Sequence, residues 1–397
     1  MRFMPQLLTG LWWALVETLY CFPNAGLRFV RFCLFPRTKP NKARTVCIYR
    51  IGNLGDILCA LPAMWAVRIA YPSAKLTLVT SPGRKGLPGA VELLRDARWL
   101  DDLFVYYSED IATVRKQLEL VKRLRQKRFD VWIELPSSLA TVRASLRNMA
   151  VARLSGARWG WGWSISTIRW ATQMQSESRT FPNEVDRLRR VVEAGGVRVE
   201  QVRFPLPLGE HHAAAVDALL QPAVPPAAPL VGIAPGAKRP ANRWPLERFA
   251  DVGRELSHRG FTVVLLGGLD ERQGCERIAS RIGGAVVNVA GELSVLESCE
   301  VLRRCAFLVC NDSGVQHMAA AVCTPCVSIF SAREMPGKWY PYGAQHIVLT
   351  RKVPCHSCYT SECPHDNLCV KLVQVPDVMR ATERIQRETL RCAESSD

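Results

Sequence analysis

Arg50-Ile51-Gly52-Asn53-Leu54-Gly55-Asp56 is the stretch that decides the fold. Thr45-Val46-Cys47-Ile48-Tyr49 precedes it, an apolar run that reads as a buried strand. The residues from Ile57 to Arg68 follow and read as a helix facing a core. A strand, a glycine turn and a helix make the opening unit of a doubly wound α/β domain. Gly52 and Gly55, on either side of Asn53, let the backbone turn sharply and come close to a ligand. Asp56 then stands where the helix begins, at the carboxyl edge of the sheet, where such folds bind and react. An aspartate in this place also serves as a plain helix cap, so position alone supports both readings.

Further along, the strand–turn–helix pattern repeats. Strands are expected near Leu76–Val79, Leu103–Tyr106 and Val131–Leu135, with a charged helix from Val114 to Lys127 and another near Leu139 to Arg153. Arg158-Trp159-Gly160-Trp161-Gly162-Trp163 places three tryptophans on one face if extended, either at a core strand edge or along a ligand groove. The polar segment from Ser164 to Asn183 reads as a mobile loop. A Pro/Ala-rich stretch from Phe204 to Pro229 reads as a connection containing a short helix, His212 to Leu220. A second α/β series begins at Leu230 and ends in a helix, Val375 to Cys392, expected to pack back onto the first domain. The organisation expected is an extension over 1–44, Rossmann-like domains over 45–210 and 228–375, and a terminal helix over 376–397.

Four segments fall where two facing Rossmann-like domains present ligand-binding loops, each after a strand. The first is Gly52 to Asp56. The second, Pro235 to Pro245, holds Gly236, Lys238, Arg239, Arg243 and Trp244; arginine grips two phosphate oxygens at once. The third is Gly291-Glu292-Leu293, after the strand expected at Val286–Val289; the strand before that one ends in Gly267-Gly268. The fourth is Asn311-Asp312-Ser313-Gly314-Val315-Gln316-His317, which opens an apolar helix. Free backbone N–H groups and the helix dipole attract an anion there, and Ser313 is a candidate cap. Each segment alone has a bland explanation; four in this order are a strong signal.

The 397 residues are 48% hydrophobic, which indicates a globular protein with ample core. A formal charge of +16 favours an acidic partner. No nucleic-acid-binding signature accompanies it, so an anionic membrane surface or a phosphorylated substrate is expected and nucleic acid is not. Most of the fifteen cysteines lie in apolar runs and read as small core residues in a reducing cytoplasm. Before Thr45, apolar residues recur at helical spacing from Leu7 to Phe22, and Pro23-Asn24-Ala25-Gly26 is expected to break the pattern. The first stretch is shorter than the roughly 20 residues of a spanning helix and contains Glu17. Its tryptophans, phenylalanines and flanking arginines suit helices lying in a membrane interface, or packed on the protein itself.

Several pieces together resemble glycosyltransferase family 9, the ADP-heptose:lipopolysaccharide heptosyltransferases. They are RIGNLGDILCALPA (50–63), PGAKRPANRWPLERFA (235–250), VVLLGG (263–268), AGELSVLE (290–297) and NDSGVQHMAAA (311–321). The resemblance covers about Thr45 to the C-terminus and implies a GT-B fold, with the donor on the second domain and the acceptor on the first. It also implies inverting transfer with no cofactor for catalysis, a nucleotide-sugar donor and an anionic glycolipid or glycan acceptor, at the inner face of the cytoplasmic membrane. Asp56 matches the family's proposed base, which requires a carboxylate not sealed into a buried ion pair. Ser313 and Gly314 match the pyrophosphate site, Asp312 and His317 polar positions near the donor, and Glu292 a position near the nucleoside. Asn242 departs from the lysine that members often carry there, so Arg243 or Lys238 is expected to supply the charge.

Cys355, Cys358, Cys363 and Cys369 form a compact cluster whose spacing suits structural zinc or iron, disulfides or reduced thiols. Related proteins, including an autotransporter-modifying branch that uses cysteines for iron, carry tails of this kind. Transfer to a protein acceptor and a non-catalytic GT-B scaffold are therefore the alternative functions.

Overall fold

A computed structural model describes residues 6–35, 38–40, 42–166, 180–221 and 228–394. The chain divides into two compact units, Met1–Met174 with Glu184–Pro205, and Gln175–Asn183 with Leu206–Asp397. Each carries one parallel sheet among the described residues.

In the first unit the strands are β1 Thr45–Ile51, β2 Lys75–Ser81, β3 Asp102–Val105, β4 Val131–Glu134 and β5 Trp159–Trp161. Their order is β3-β2-β1-β4-β5, all parallel. The chain winds outward from β1 in one direction and then returns to the other side. The switch point, where such sheets bind ligands, therefore lies beyond the carboxyl ends of β1 and β4. Helices α1 Gln6–Leu34, α2 Leu54–Ala70, α3 Ala90–Leu94, α4 Val114–Gln126, α5 Val142–Leu154 and α6 Glu184–Glu193 accompany this sheet. Residues 46–50 are all buried, as expected where helices cover both faces of a parallel sheet.

In the second unit the order is β11-β10-β9-β6-β7-β8, again parallel. These strands are β6 Leu230–Ala234, β7 Thr262–Leu265, β8 Val286–Asn288, β9 Cys305–Asn311, β10 Cys326–Ile329 and β11 Ile347–Leu349. Its switch point lies between β6 and β9. The helices are α7 Glu210–Leu220, α8 Leu246–His258, α9 Arg272–Ile282, α10 Val295–Arg304, α11 Gly314–Ala321, α12 Leu368–Lys371 and α13 Val375–Glu394.

Three expectations need correction. Pro23 does not end the first helix, which runs unbroken from Gln6 to Leu34. Packing on the first unit holds it: Leu27 and Phe35 are buried, Phe35 stacks on Trp163 at 5.3 Å, and Asn24 exchanges two hydrogen bonds with the Ile165 backbone. Arg31 also donates to the Gly160 carbonyl at 2.9 Å. A proline removes one donor, which these contacts outweigh. The terminal helix α13 buries Val378, Met379, Ala381 and Ile385 in the second unit's own core. The three tryptophans do not share a face. Trp161 donates to the Val191 carbonyl, whereas Gly162, at φ +104°, turns the chain and sends Trp163 against Phe35. All three are buried, so none lines a groove. Most of the segment read as a mobile loop, residues 167–179, lies outside the described residues.

Candidate active site

Asp56 lies in the first turn of α2, at the switch point of the first sheet. Its Oδ2 accepts the Asn53 N–H at 3.1 Å, so the capping role is real. Its Oδ1 lies 3.3 Å from Nη2 of Arg50, which is fully buried at the end of β1. The same Nη2 lies 3.2 Å from Oε1 of buried Glu184, and Nη1 donates to the Leu135 and Pro136 carbonyls beyond β4. Arg187 grips both oxygens of Glu184, at 2.7 and 2.8 Å. Asp56 is thus ion-paired, but it shares its partner with a second carboxylate and its own side chain is 32% exposed. The exposed part of the carboxylate faces solvent at the switch point, where a substrate hydroxyl can approach it. Gly52 makes room for this arrangement: a Cβ there would lie 2.2 Å from that of Asp56.

Sequence reading missed Arg50 and Glu184. Arg50 left a trace, a charge closing an apolar strand run. Glu184 is 134 residues away from it and left none.

In the second unit the predicted loops lie at the carboxyl ends of β6, β7, β8 and β9. Asn311 donates to the Pro235 carbonyl at 2.6 Å, which ties the Gly236 loop to the start of α11. Gly291 donates to the Gly267 carbonyl at 3.0 Å, which joins the other two segments. Glu271 lies against Gly236, where a Cβ would come within 1.6 Å of its Oε1, and it accepts the Gly268 N–H. Lys238 and Arg243 are exposed beside this edge, and Arg243 Nε donates to the Ala237 carbonyl. Glu292 is exposed and paired with Arg272 at 2.9 Å. His317 is buried edge-on to Trp339.

Two assignments in this unit change. Trp244 is 1% exposed, donates to the Val373 carbonyl and packs on Phe249, so it anchors the core and does not reach a ligand. Ser313 occupies the cap position of α11 without capping it, and its Oγ is buried with no hydrogen-bond partner among the described residues.

Asn242 is buried and bonded to Asp312, its Nδ2 lying 3.0 Å from Oδ2. Gln316 donates to Asp312 Oδ1 at 3.2 Å, Ser328 donates to Gln316 at 2.5 Å, and Ser331 donates to Asn242 at 2.8 Å. Every donor to Asp312 in this network is neutral. Burial, reinforced by nearby Glu334, lifts the Asp312 carboxyl to about 7 despite the opposing Arg333 and Arg239. In the first unit, burial lifts Glu134 to about 7 despite its bonds from Asn148 and Trp132.

Cys355, Cys358, Cys363 and Cys369 line one small cavity with Val353, Thr360 and Leu368. Burial and the neighbouring thiols raise Cys355 and Cys369 above the usual thiol range. They are free thiols, and among the described residues no group of three or more His, Cys, Asp or Glu is spaced to hold a metal ion. The cluster suits a soft metal in ligand type and in convergence on one cavity, but not in spacing as it stands.

Residues 117–369 match the family model described as glycosyltransferase family 9 (heptosyltransferase). The chain belongs to this family. Over 107 residues it is 33% identical to lipopolysaccharide heptosyltransferase 2 of Salmonella typhimurium, covering 26% of this chain and 31% of that one. The match thus spans about a third of the length of that relative. With lipopolysaccharide heptosyltransferase 1 of Pseudomonas aeruginosa it shares 23% identity over 336 residues, 81% of this chain and 87% of the relative. The family 9 structure from Veillonella parvula aligns with a TM-score of 0.71 at 19% identity, covering 89% of this chain and all of that one. E. coli heptosyltransferase WaaC with ADP-2-deoxy-2-fluoro heptose aligns at 0.57 and 17% identity, covering 86% and 99%. The iron-containing dodecameric glycosyltransferase TibC from enterotoxigenic E. coli aligns at 0.52 and 14%, covering 89% and 78%. These likenesses bear out the expected GT-B class of two parallel-sheet α/β domains.

Proposed function

We propose that this family 9 chain is an inverting glycosyltransferase. It moves heptose, or a related sugar, from a nucleotide-diphosphate donor, foremost ADP-heptose, to a lipopolysaccharide-core or other anionic glycan. Family membership and the ADP-heptose analogue in the WaaC structure support the donor class. One observation carries the mechanism: Asp56 is held at a switch point by Asn53 and Arg50 with its side chain 32% exposed.

In the transfer, the acceptor hydroxyl gives its proton to Asp56 as its oxygen bonds to the anomeric carbon on the face opposite the leaving group. The bond from that carbon to the diphosphate breaks, and the electron pair leaves on the phosphate oxygen. Lys238, Arg243 and the N–H groups opening α11 are read as stabilising that charge, with Gly236, Gly267, Glu292, Asp312, Ser313, Gly314 and His317 around the donor. No step runs through a metal. Free thiols at the described cysteines are in keeping with a cytoplasmic location.

Asp56→Ala tests the mechanism: transfer is expected to fall about 10²–10⁴-fold while the Kd of the donor stays within about twofold. Equal turnover would remove the base assignment. A structural metal at the four cysteines, which would also favour a protein acceptor, is supported by their common cavity and by TibC. Elemental analysis of gently purified protein showing less than one equivalent of zinc or iron would discard it.

A further inference from the structure

Helices α1, α4 and α5 lie on the same face of the first sheet. Their inward residues, among them Leu27, Phe35, Leu120, Leu124, Met149 and Ala152, share one core with Cys47, Tyr49 and Val79 of the strands. The outward sides of these three helices therefore form one surface directed away from the sheet.

That surface is unusual in two ways. Large apolar groups stand in solvent along it: Phe22 is 71% exposed, Phe29 68% and Phe32 66%. Leu118, Val142 and Leu146 continue the pattern on α4 and α5. On α1, Leu15, Leu19, Phe22 and Phe29 recur at helical spacing opposite the face that carries Leu27. A soluble surface disperses such residues singly, and a rimmed concentration marks an interaction site. The surface is also strongly basic. Arg28, Lys116, Lys122, Arg125, Arg143 and Arg147 are exposed on it, while the only acids in these three helices are Glu17 and Glu119. No described helix is long and apolar enough to cross a membrane.

We infer that the α1–α4–α5 surface is a docking face for an anionic lipid bilayer. The phenylalanines enter the headgroup–acyl boundary while the surrounding cations meet lipid phosphates. A nucleic acid would use the cations but leave the phenylalanines and leucines wet. A second copy of the chain would bring like charges together. Only an anionic interface satisfies both features. The inference goes beyond the proposed reaction and does not depend on it: the surface is away from Asp56 in sequence and uses none of the residues assigned to transfer.

The test is flotation of the full chain with phosphatidylcholine vesicles, with and without phosphatidylglycerol. The protein is expected to float with the anionic vesicles and to lose most of that binding as salt rises. Arg28→Ala with Arg143→Ala should weaken partitioning about 25-fold, since each cation near the surface contributes about fivefold. Phe29→Ser with Phe32→Ser should weaken it further at high salt, with the melting temperature unchanged because both side chains are exposed. Unaltered flotation of both variants, or equal flotation with neutral vesicles, would overturn the proposal. So would a dimer in gel filtration that the phenylalanine changes abolish, or binding to oligonucleotides that the arginine changes alone remove.

Discussion

Asp312→Asn should make the protein more stable above neutral pH and a poorer enzyme. Asp312 is expected to titrate near 7 in the folded protein against 3.8 for a free aspartate, because burial and Glu334 oppose its charge. A raised folded value means that the stability is fully present below 3.8. It is lost as pH climbs towards 7 and constant beyond. The rise from 3.8 to about 7 corresponds to about 4 kcal/mol, reduced to about 3 kcal/mol by solvent at the partly exposed edge of the group. The amide removes that charge but turns one donor towards Asn242 or Gln316, at a cost of about 1 kcal/mol. The net gain is about 2 kcal/mol at pH 8, or roughly 4–8 °C in Tm, and close to nothing at pH 4.5. Melting curves of both proteins from pH 4.5 to 8, by calorimetry or circular dichroism, read the difference directly. A Tm gap that does not widen between pH 4.5 and 7, or a variant less stable than its parent at pH 8, would refute the reasoning. Weakened donor binding should accompany the gain, since strain of this kind is kept where function needs it.

Two further outcomes follow from the Arg50 network. Glu184→Gln should lower unfolding free energy by about 1–3 kcal/mol, because buried Arg50 keeps Asp56 but loses its second counter-charge; chemical denaturation measures it. Gly52→Ala should force the Asp56 side chain aside and reduce transfer at least about 10²-fold. In that variant, donor titration by calorimetry should stay as in the parent, and an unchanged rate would show that the Asp56 position is unimportant.

Sequence alone determined the two parallel α/β units, because a strand covered on both faces must be apolar throughout and its turns must carry glycine. Residues 46–50, Gly52 and the loops at Gly236, Gly267 and Asp312 were legible on those grounds. Tertiary structure decided what local pattern does not encode. Pro23 stays helical because remote contacts hold α1, and Trp244 turns inward because Asn311 and Val373 supply its partners. Glu184 reaches Arg50 only through folding, and the basic apolar surface exists only because α1, α4 and α5 share one sheet face. Periodicity records which side of an element is buried. The choice of neighbour, and with it the charge and hydrogen bonding of each buried polar group, is set by contacts between residues far apart in the chain.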